Sequence, residues 1–155
     1  KALLGGFVGL TIAVTISKSI PNIIVATLVV ALSTNMMNLF DLRPGRAIKV
    51  YTLLAIIIFI ASAKFQREVM MLILPAVLAY FYFDLRALTM MGDAGSNVLG
   101  VSLGVFIVSS FGLAVQVVCL ILLVLIHILT EKFSLTKIIE NNKFLNYLDR
   151  LGRGL

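Results

Sequence analysis

The sequence predicts an all-α integral membrane protein: about six transmembrane helices followed by an amphipathic C-terminal helix. Three observations carry that prediction. Hydrophobic residues make up 61% of the 155 and charged residues 13%, whereas soluble domains sit near about 45–50% apolar. Apolar runs such as Val50–Ala63 and Val117–Ile126 lack the polar face that a helix of a soluble domain presents to water. The runs do not alternate as the strands of a membrane barrel must, and helices satisfy their own backbone groups in lipid.

The predicted spans are residues 2–17, 23–40, 48–63, 69–83, 96–111 and 114–130. Each is shorter than the ~20 residues of a standard spanning helix, which neighbouring helices and polar cavities tolerate. The first carries a small residue every four positions, at Gly5, Gly9, Ala13 and Ser17. The fifth does the same at Ser96, Gly100 and Gly104. Such stripes let helix backbones approach closely in lipid, so these residues are assigned to packing. Residues 1–130 thus read as one transmembrane helical domain and 131–155 as a tail of different character. In the tail, Ser134 is placed to cap a short helix, and Asn141-Asn142 interrupts it. Beyond the break, Phe144, Leu145, Leu148 and Leu151 form an apolar face, with Lys143, Asp149 and Arg150 off it. That pattern fits an amphipathic helix lying on a membrane surface. The single Cys119 sits inside an apolar run, so no disulfide forms within the chain.

Six spans put both termini on one side. That side holds ten of the thirteen Lys and Arg residues, and the other holds only Lys18, Lys64 and Arg67. The positive-inside rule makes the richer side cytoplasmic. The net charge of +6 is then accounted for by topology and attraction to anionic lipid, with no need of nucleic acid.

Two polar islands interrupt the apolar pattern on that cytoplasmic side. The first runs from Asn35 through Asn38, Asp41, Arg43, Pro44 and Gly45 to Arg46. The second is Met91-Gly92-Asp93-Ala94-Gly95-Ser96. Carboxylates, amides and glycines are costly beside a bilayer unless used or paired. Asn35, Asn38 and Asp41, three apart, fall near one another on a helix. Twelve apolar or small hydroxylic residues precede Asn35, which places it somewhat within the membrane and in need of a partner or cavity. Arg43 and Arg46 flank a Pro-Gly turn. They serve equally as interfacial anchors or as planar donors to substrate phosphates. Asp93 also has two readings. It is positioned as a helix N-cap. It is also positioned to hold Mg²⁺, which takes oxygen ligands and shares its shell with substrate phosphates. In the second reading Gly92 and Gly95 let a phosphate approach the backbone at the helix N-terminus.

Together the islands resemble a known family. Asn38-Leu-Phe-Asp41-Leu-Arg-Pro-Gly45-Arg-Ala47 is similar to the N-L-x-D-G-x-D-G-x-A loop of the polyprenyl-phosphate N-acetylhexosamine-1-phosphate transferases. That superfamily, glycosyltransferase family 4, includes phospho-N-acetylmuramoyl-pentapeptide transferase. Met91-Gly92-Asp93-Ala94-Gly95-Ser96 resembles its M-G-D-x-G-S motif. The resemblance covers roughly residues 1–130 and implies the C-terminal half of a longer enzyme. It implies Mg²⁺-dependent transfer of a sugar-1-phosphate from a UDP-sugar to polyprenyl phosphate, with UMP released, at the cytoplasmic face of the plasma membrane. It implies that Asp93 is the metal-binding and catalytic residue and Asp41 a second catalytic group. Asn35, Asn38, Arg43, Arg46, Asp84, Gly95 and Ser96 become substrate-binding residues, Asp84 by a match shifted by one position. The bilayer is a partner, and the assembly leaves room for a homodimer.

The departures define the rival reading. Pro44 stands where the family carries a second Asp associated with the nucleobase. No Asp-Asp pair occurs in the chain, and the family's histidine-rich motif is missing. The one histidine, His127, lies four residues before Glu131, within i,i+4 reach. The rival is a non-catalytic membrane scaffold, a transporter, or a degenerate relative of the transferases. Transporters place charges near the midplane, whereas Asp41, Asp84 and Asp93 fall at span ends.

Overall fold

The structure, a computed structural model, describes residues 2–152. Lys1 and Arg153, counted above for orientation, lie outside the described residues. The chain runs α1 (Ala2–Ile16), α2 (Ile20–Phe40), α3 (Arg46–Ala61), α4 (Lys64–Leu85), α5 (Gly92–Ser110), α6 (Leu113–Lys132), α7 (Leu135–Asn141) and α8 (Lys143–Arg150). Local chemistry sets the main breaks. Pro21 sits in the first turn of α2, where its fixed φ suits a helix start and its missing N–H costs nothing. Gly45 precedes α3 at φ +76°, a conformation that favours glycine.

Contacts between helix ends show the helices alternating in direction. At one end of the bundle Gln66 Nε2 donates to the Ser109 carbonyl at 3.2 Å. There too the hydroxyls of Ser62 and Ser110 lie 2.9 Å apart. Arg67 donates to the carbonyls of Phe59 and Ile60 at 2.8 and 2.9 Å, closing orphan acceptors at the end of α3. The other end gathers the close of α2, α4 and α6 with the start of α3 and α5. Both polar islands therefore sit at one end, together with the tail.

Four segments are long and apolar enough to cross a membrane: Ile20–Phe40, Gln66–Leu85, Gly92–Ser110 and Leu113–Lys132. The other two expected spans, α1 and α3, have 15 and 16 residues. At 1.5 Å per residue they reach roughly 23–24 Å, short of the ~30 Å hydrocarbon thickness. Large apolar side chains such as Leu72 and Ile60 lie on the outside, 80% and 70% exposed, as lipid-facing surfaces require.

Helix α2 is the hub. It packs against α1, α3, α5 and α6 and contributes Ala26, Val29, Val30 and Met37 to the core, all fully buried. Glycines make the closest approaches. A Cβ at Gly100 would overlap the backbone of Thr34, and one at Gly104 would stand 2.7 Å from Val30 Cα. On α1, a Cβ at Gly9 would stand 2.9 Å from the Thr27 carbonyl oxygen, and Ala13 is fully buried. Gly5 differs, because nothing lies within 4 Å of its Cβ position. The α1 stripe therefore packs from Gly9 onward. A second polar seam joins α3 to α5, where the hydroxyls of Tyr51 and Ser102 lie 3.1 Å apart.

The tail docks by its polar edge. Asp149 is buried, while Phe144, Leu145, Tyr147 and Leu148 are exposed. Asn142 starts α8 by accepting the N–H groups of Phe144 and Leu145 at 3.0 and 3.1 Å. Ser134 holds the N-cap position of α7 but makes no side-chain cap bond.

The glycine contacts give opposite expectations for two substitutions. Gly100→Ala should destabilise the bundle by about 1–3 kcal/mol through overpacking against a backbone that has no room to move. Gly5→Ala adds helix propensity in open space and should stabilise by up to about 1 kcal/mol. Unfolding midpoints in detergent measure both, and equal shifts for the two would contradict the seam.

Candidate functional site

The site is built where α2 ends and α5 begins. The α2–α5 seam puts Asn38, in the last turn of α2, beside the first turns of α5. Asn38 Nδ2 donates to Asn97 Oδ1 at 2.6 Å. Asn38 Oδ1 accepts a short hydrogen bond from the Ser96 hydroxyl, which also lies 3.0 Å from the Gly92 carbonyl. Ser96 is fully buried. These bonds fix the Asn38 amide with its oxygen toward Ser96 and its nitrogen toward Asn97.

Asp41 follows Asn38 at the C-cap of α2, its N–H returning to the Met37 and Asn38 carbonyls. Its carboxylate accepts the backbone N–H of Gly92. Gly92 itself is at φ +65°, with open space at its Cβ position. The Asp41 carboxyl is held above its ordinary value of 3.8, first by burial and then by the negative charge of Asp84. The Gly92 N–H opposes the shift, and Asp93 adds to it. The carboxylates at the end of α4 and the start of α5 thus both act electrostatically on the one at the end of α2.

Asp84 is fully buried at the end of α4. Its Oδ2 accepts the N–H of Gly45 at 3.2 Å, which braces the turn between α2 and α3. Asp93 is exposed and lies within the first turn of α5. The helix starts at Gly92 with Met91 in the cap position and no side-chain cap bond, so Asp93 is not the N-cap. Its carboxylate stands instead near the positive end of the helix dipole.

The remaining sequence-predicted residues divide. Gly95 lies under Met91, whose side chain a Cβ there would meet, so Met91 occupies that approach to the backbone. Asn35 is exposed and takes no part in the Asn38–Ser96–Asn97 bonds, because its position on α2 turns away from α5. Arg46 is 3% exposed and bonds Asp149 through two nitrogens at 2.7 and 3.0 Å. Arg43 pairs with Glu140 at 2.6 Å. Both arginines therefore face the tail. His127 donates through Nδ1 to the Leu123 carbonyl at 2.7 Å instead of meeting Glu131. Asn97 is the member of the cluster that the sequence reading missed. The available signal was its place four residues after Asp93, on the same face of α5.

Among the described residues no group of three or more His, Cys, Asp or Glu side chains could hold a metal ion. Asp41 and Asp93 still offer hard oxygen donors, and the crowding of like charge at Asp41 is the kind that a divalent cation relieves. The donor set fits an ion whose shell is completed by substrate phosphates and water.

The raised Asp41 pKa fixes a pH dependence for the metal-free protein. A carboxyl whose folded pKa exceeds its unfolded value is penalised when ionised. Stability therefore rises as pH falls through the folded value, and the gain is complete below the unfolded value near 3.8. Asp41→Asn should raise the unfolding midpoint near pH 7, and its advantage should vanish as pH approaches about 4. Melts across that range in the presence of a chelator test this; a constant difference between the two proteins would contradict it.

Comparison with known families adds one finding. The model for glycosyl transferase family 4 matches residues 3–111. That stretch takes in both polar islands and the seam between α2 and α5. No curated protein and no solved structure matches the chain.

Proposed function

The chain belongs to glycosyl transferase family 4, a family of membrane sugar-phosphate transferases, and from that premise we propose the finer reading. The chain is the C-terminal part of a Mg²⁺-dependent enzyme that moves a sugar-1-phosphate from a UDP-sugar onto polyprenyl phosphate. UMP is released, and a cell-wall or surface glycan is begun. The site faces the cytoplasm at the plasma membrane. One observation carries this reading: Asp41, Asp84 and Asp93 gather with the hydrogen-bonded Asn38–Ser96–Asn97 cluster at a single end of a bundle of apolar helices. Charges clustered at a bundle end fit chemistry at the membrane surface, and a transport path would place them near the midplane.

The residues take distinct parts. Asp93 and Asp41 supply the carboxylates that would hold Mg²⁺. When bound, that ion neutralises the diphosphate and stabilises the departing UMP phosphate. Asn38, held by Ser96 and Asn97, presents a fixed amide to the donor. Asp84 acts on the site through Gly45 and keeps the α2–α3 turn in place. Beside Met91 and Gly95, at the same end, opens an apolar crevice of about 280 Å³ lined by Ile48, Val77, Tyr80 and Val98. Its chemistry suits the isoprenoid part of a lipid acceptor, whose phosphate must stay at the interface.

The pairing of Arg43 and Arg46 with the tail favours a second reading, a non-catalytic relative that keeps the scaffold. Turnover separates the two. In the full-length protein, Asp93→Asn should lower UMP release from UDP-sugar and polyprenyl phosphate by at least ~100-fold, the scale of losing a preorganised charge at the reacting phosphates. The fold should stand, because a first-turn charge contributes only about 0.3–1 kcal/mol. Wild-type turnover by Asp93→Asn would remove the metal reading, and no turnover by the wild-type protein would favour the non-catalytic relative.

A further inference from the structure

The turn between α2 and α3 and the first turn of α3 carry three cations, and the structure gives each a partner in the tail. Arg43 meets Glu140 of α7 at 2.6 Å. Arg46 meets Asp149 of α8 through two nitrogens and Thr136 of α7 at 3.2 Å. Lys49 donates to the carbonyls of Leu148 and Asp149, both at 2.9 Å, at the negative end of the α8 dipole. The Arg46–Asp149 side chains are only 3% and 4% exposed. A buried, two-point guanidinium–carboxylate contact has a fixed geometry. Farther on, Gly152 at φ +82° packs onto Leu85, next to the Asp84 that accepts Gly45. The tail thus grips the 41–46 turn from the α3 side and from the α4 side.

We propose that residues 135–152 clamp the turn that carries Asp41, with Asp149 as the positioning residue. Asp149 holds Arg46, Arg46 fixes the start of α3, and the turn between that point and the end of α2 has no slack to move Asp41 away from Gly92. The arginines of the motif then act through the tail and do not touch the donor. The clamp stands on contacts alone; its effect on transfer rests on the transferase reading above.

The test uses the full-length protein in detergent, with amide hydrogen exchange and UMP-release kinetics. Asp149→Asn should speed exchange across residues 41–47 at least ~10-fold while amides in the middle of α2 and α5 stay protected. It should raise KM for the UDP-sugar more than it lowers kcat. Lys49→Met leaves the buried pair intact and should give the same local change in smaller measure, which keeps the test alive if Asp149→Asn does not fold. The double variant Arg46→Met/Asp149→Leu replaces the pair with apolar groups of similar size, a swap that folds tolerate. It should restore both the protection and the KM. Unchanged exchange at 41–47 in Asp149→Asn and Lys49→Met overturns the clamp. Restored protection with KM still raised also overturns it, because Arg46 would then bind the donor directly. If exchange behaves as expected and the wild-type protein releases no UMP, the clamp stands and the transferase reading falls.

Discussion

Everything at the site depends on how closely α5 approaches α2. Gly100 and Gly104 let the two backbones touch at Thr34 and Val30, and no side chain of any size fits between them. In lipid there is little hydrophobic force to draw helices together, so close packing of this kind has to do so. The contact also sets register. With Gly100 against Thr34, the antiparallel helices bring Ser96 and Asn97 to Asn38, and Gly92 to Asp41. The polar chemistry at the end of the bundle is thus a geometric consequence of two glycines placed one and two turns inside it.

That register creates an electrostatic problem. Asp41 is partly buried and shares its surroundings with Asp84 and Asp93, and its carboxyl is pushed upward as a result. The cations nearest in sequence do not remove the problem, because Arg43 and Arg46 are turned to Glu140 and Asp149. A fold selected only for stability would aim Arg46 at the acidic cluster. Backbone donors at Gly92 and Gly45 instead hold two of its carboxylates, Asp41 and Asp84, in place. Sites that act on charged groups commonly hold groups whose pKa has been moved from its ordinary value.

Legibility from sequence followed the range of each interaction. Four of the six expected spans, the gathering of both islands at one end, and the packing role of Gly9, Gly100 and Gly104 were readable because they follow from local composition and a helical repeat. As an N-cap, Asp93 was misplaced by two residues: α5 begins at Gly92 with Met91 in the cap position, so Asp93 falls at the second helical position. Asn35 was expected to need a partner or a cavity and is exposed on α2, because three apart on a helix is near but not on the same line, and α5 meets only the Asn38 side. Arg46 could not have been paired from sequence. Its partner lies 103 residues away, and Asp149 had been read as the solvent side of a surface helix. Its burial reverses that reading, since no local pattern signals that an amphipathic helix will dock by its polar edge.

That reversal has a physical logic. A soluble protein would dock α8 by Phe144, Leu145 and Leu148 and leave Asp149 in water. This chain does the opposite, and the same inversion runs along its spans, where Leu72 and Ile60 face outward and Ser33 and Ser96 face in. A buried ion pair adds little net stability, because desolvation offsets most of its Coulomb energy, yet losing one partner is costly. Such a contact holds a segment in one place without supplying much of the energy that keeps it there. Charges that fix the position of α8 leave its apolar side chains uncommitted to the protein. Those side chains then meet the surroundings on the same terms as the outward faces of α4 and α6, so that the tail is positioned by the bundle and solvated like its surface.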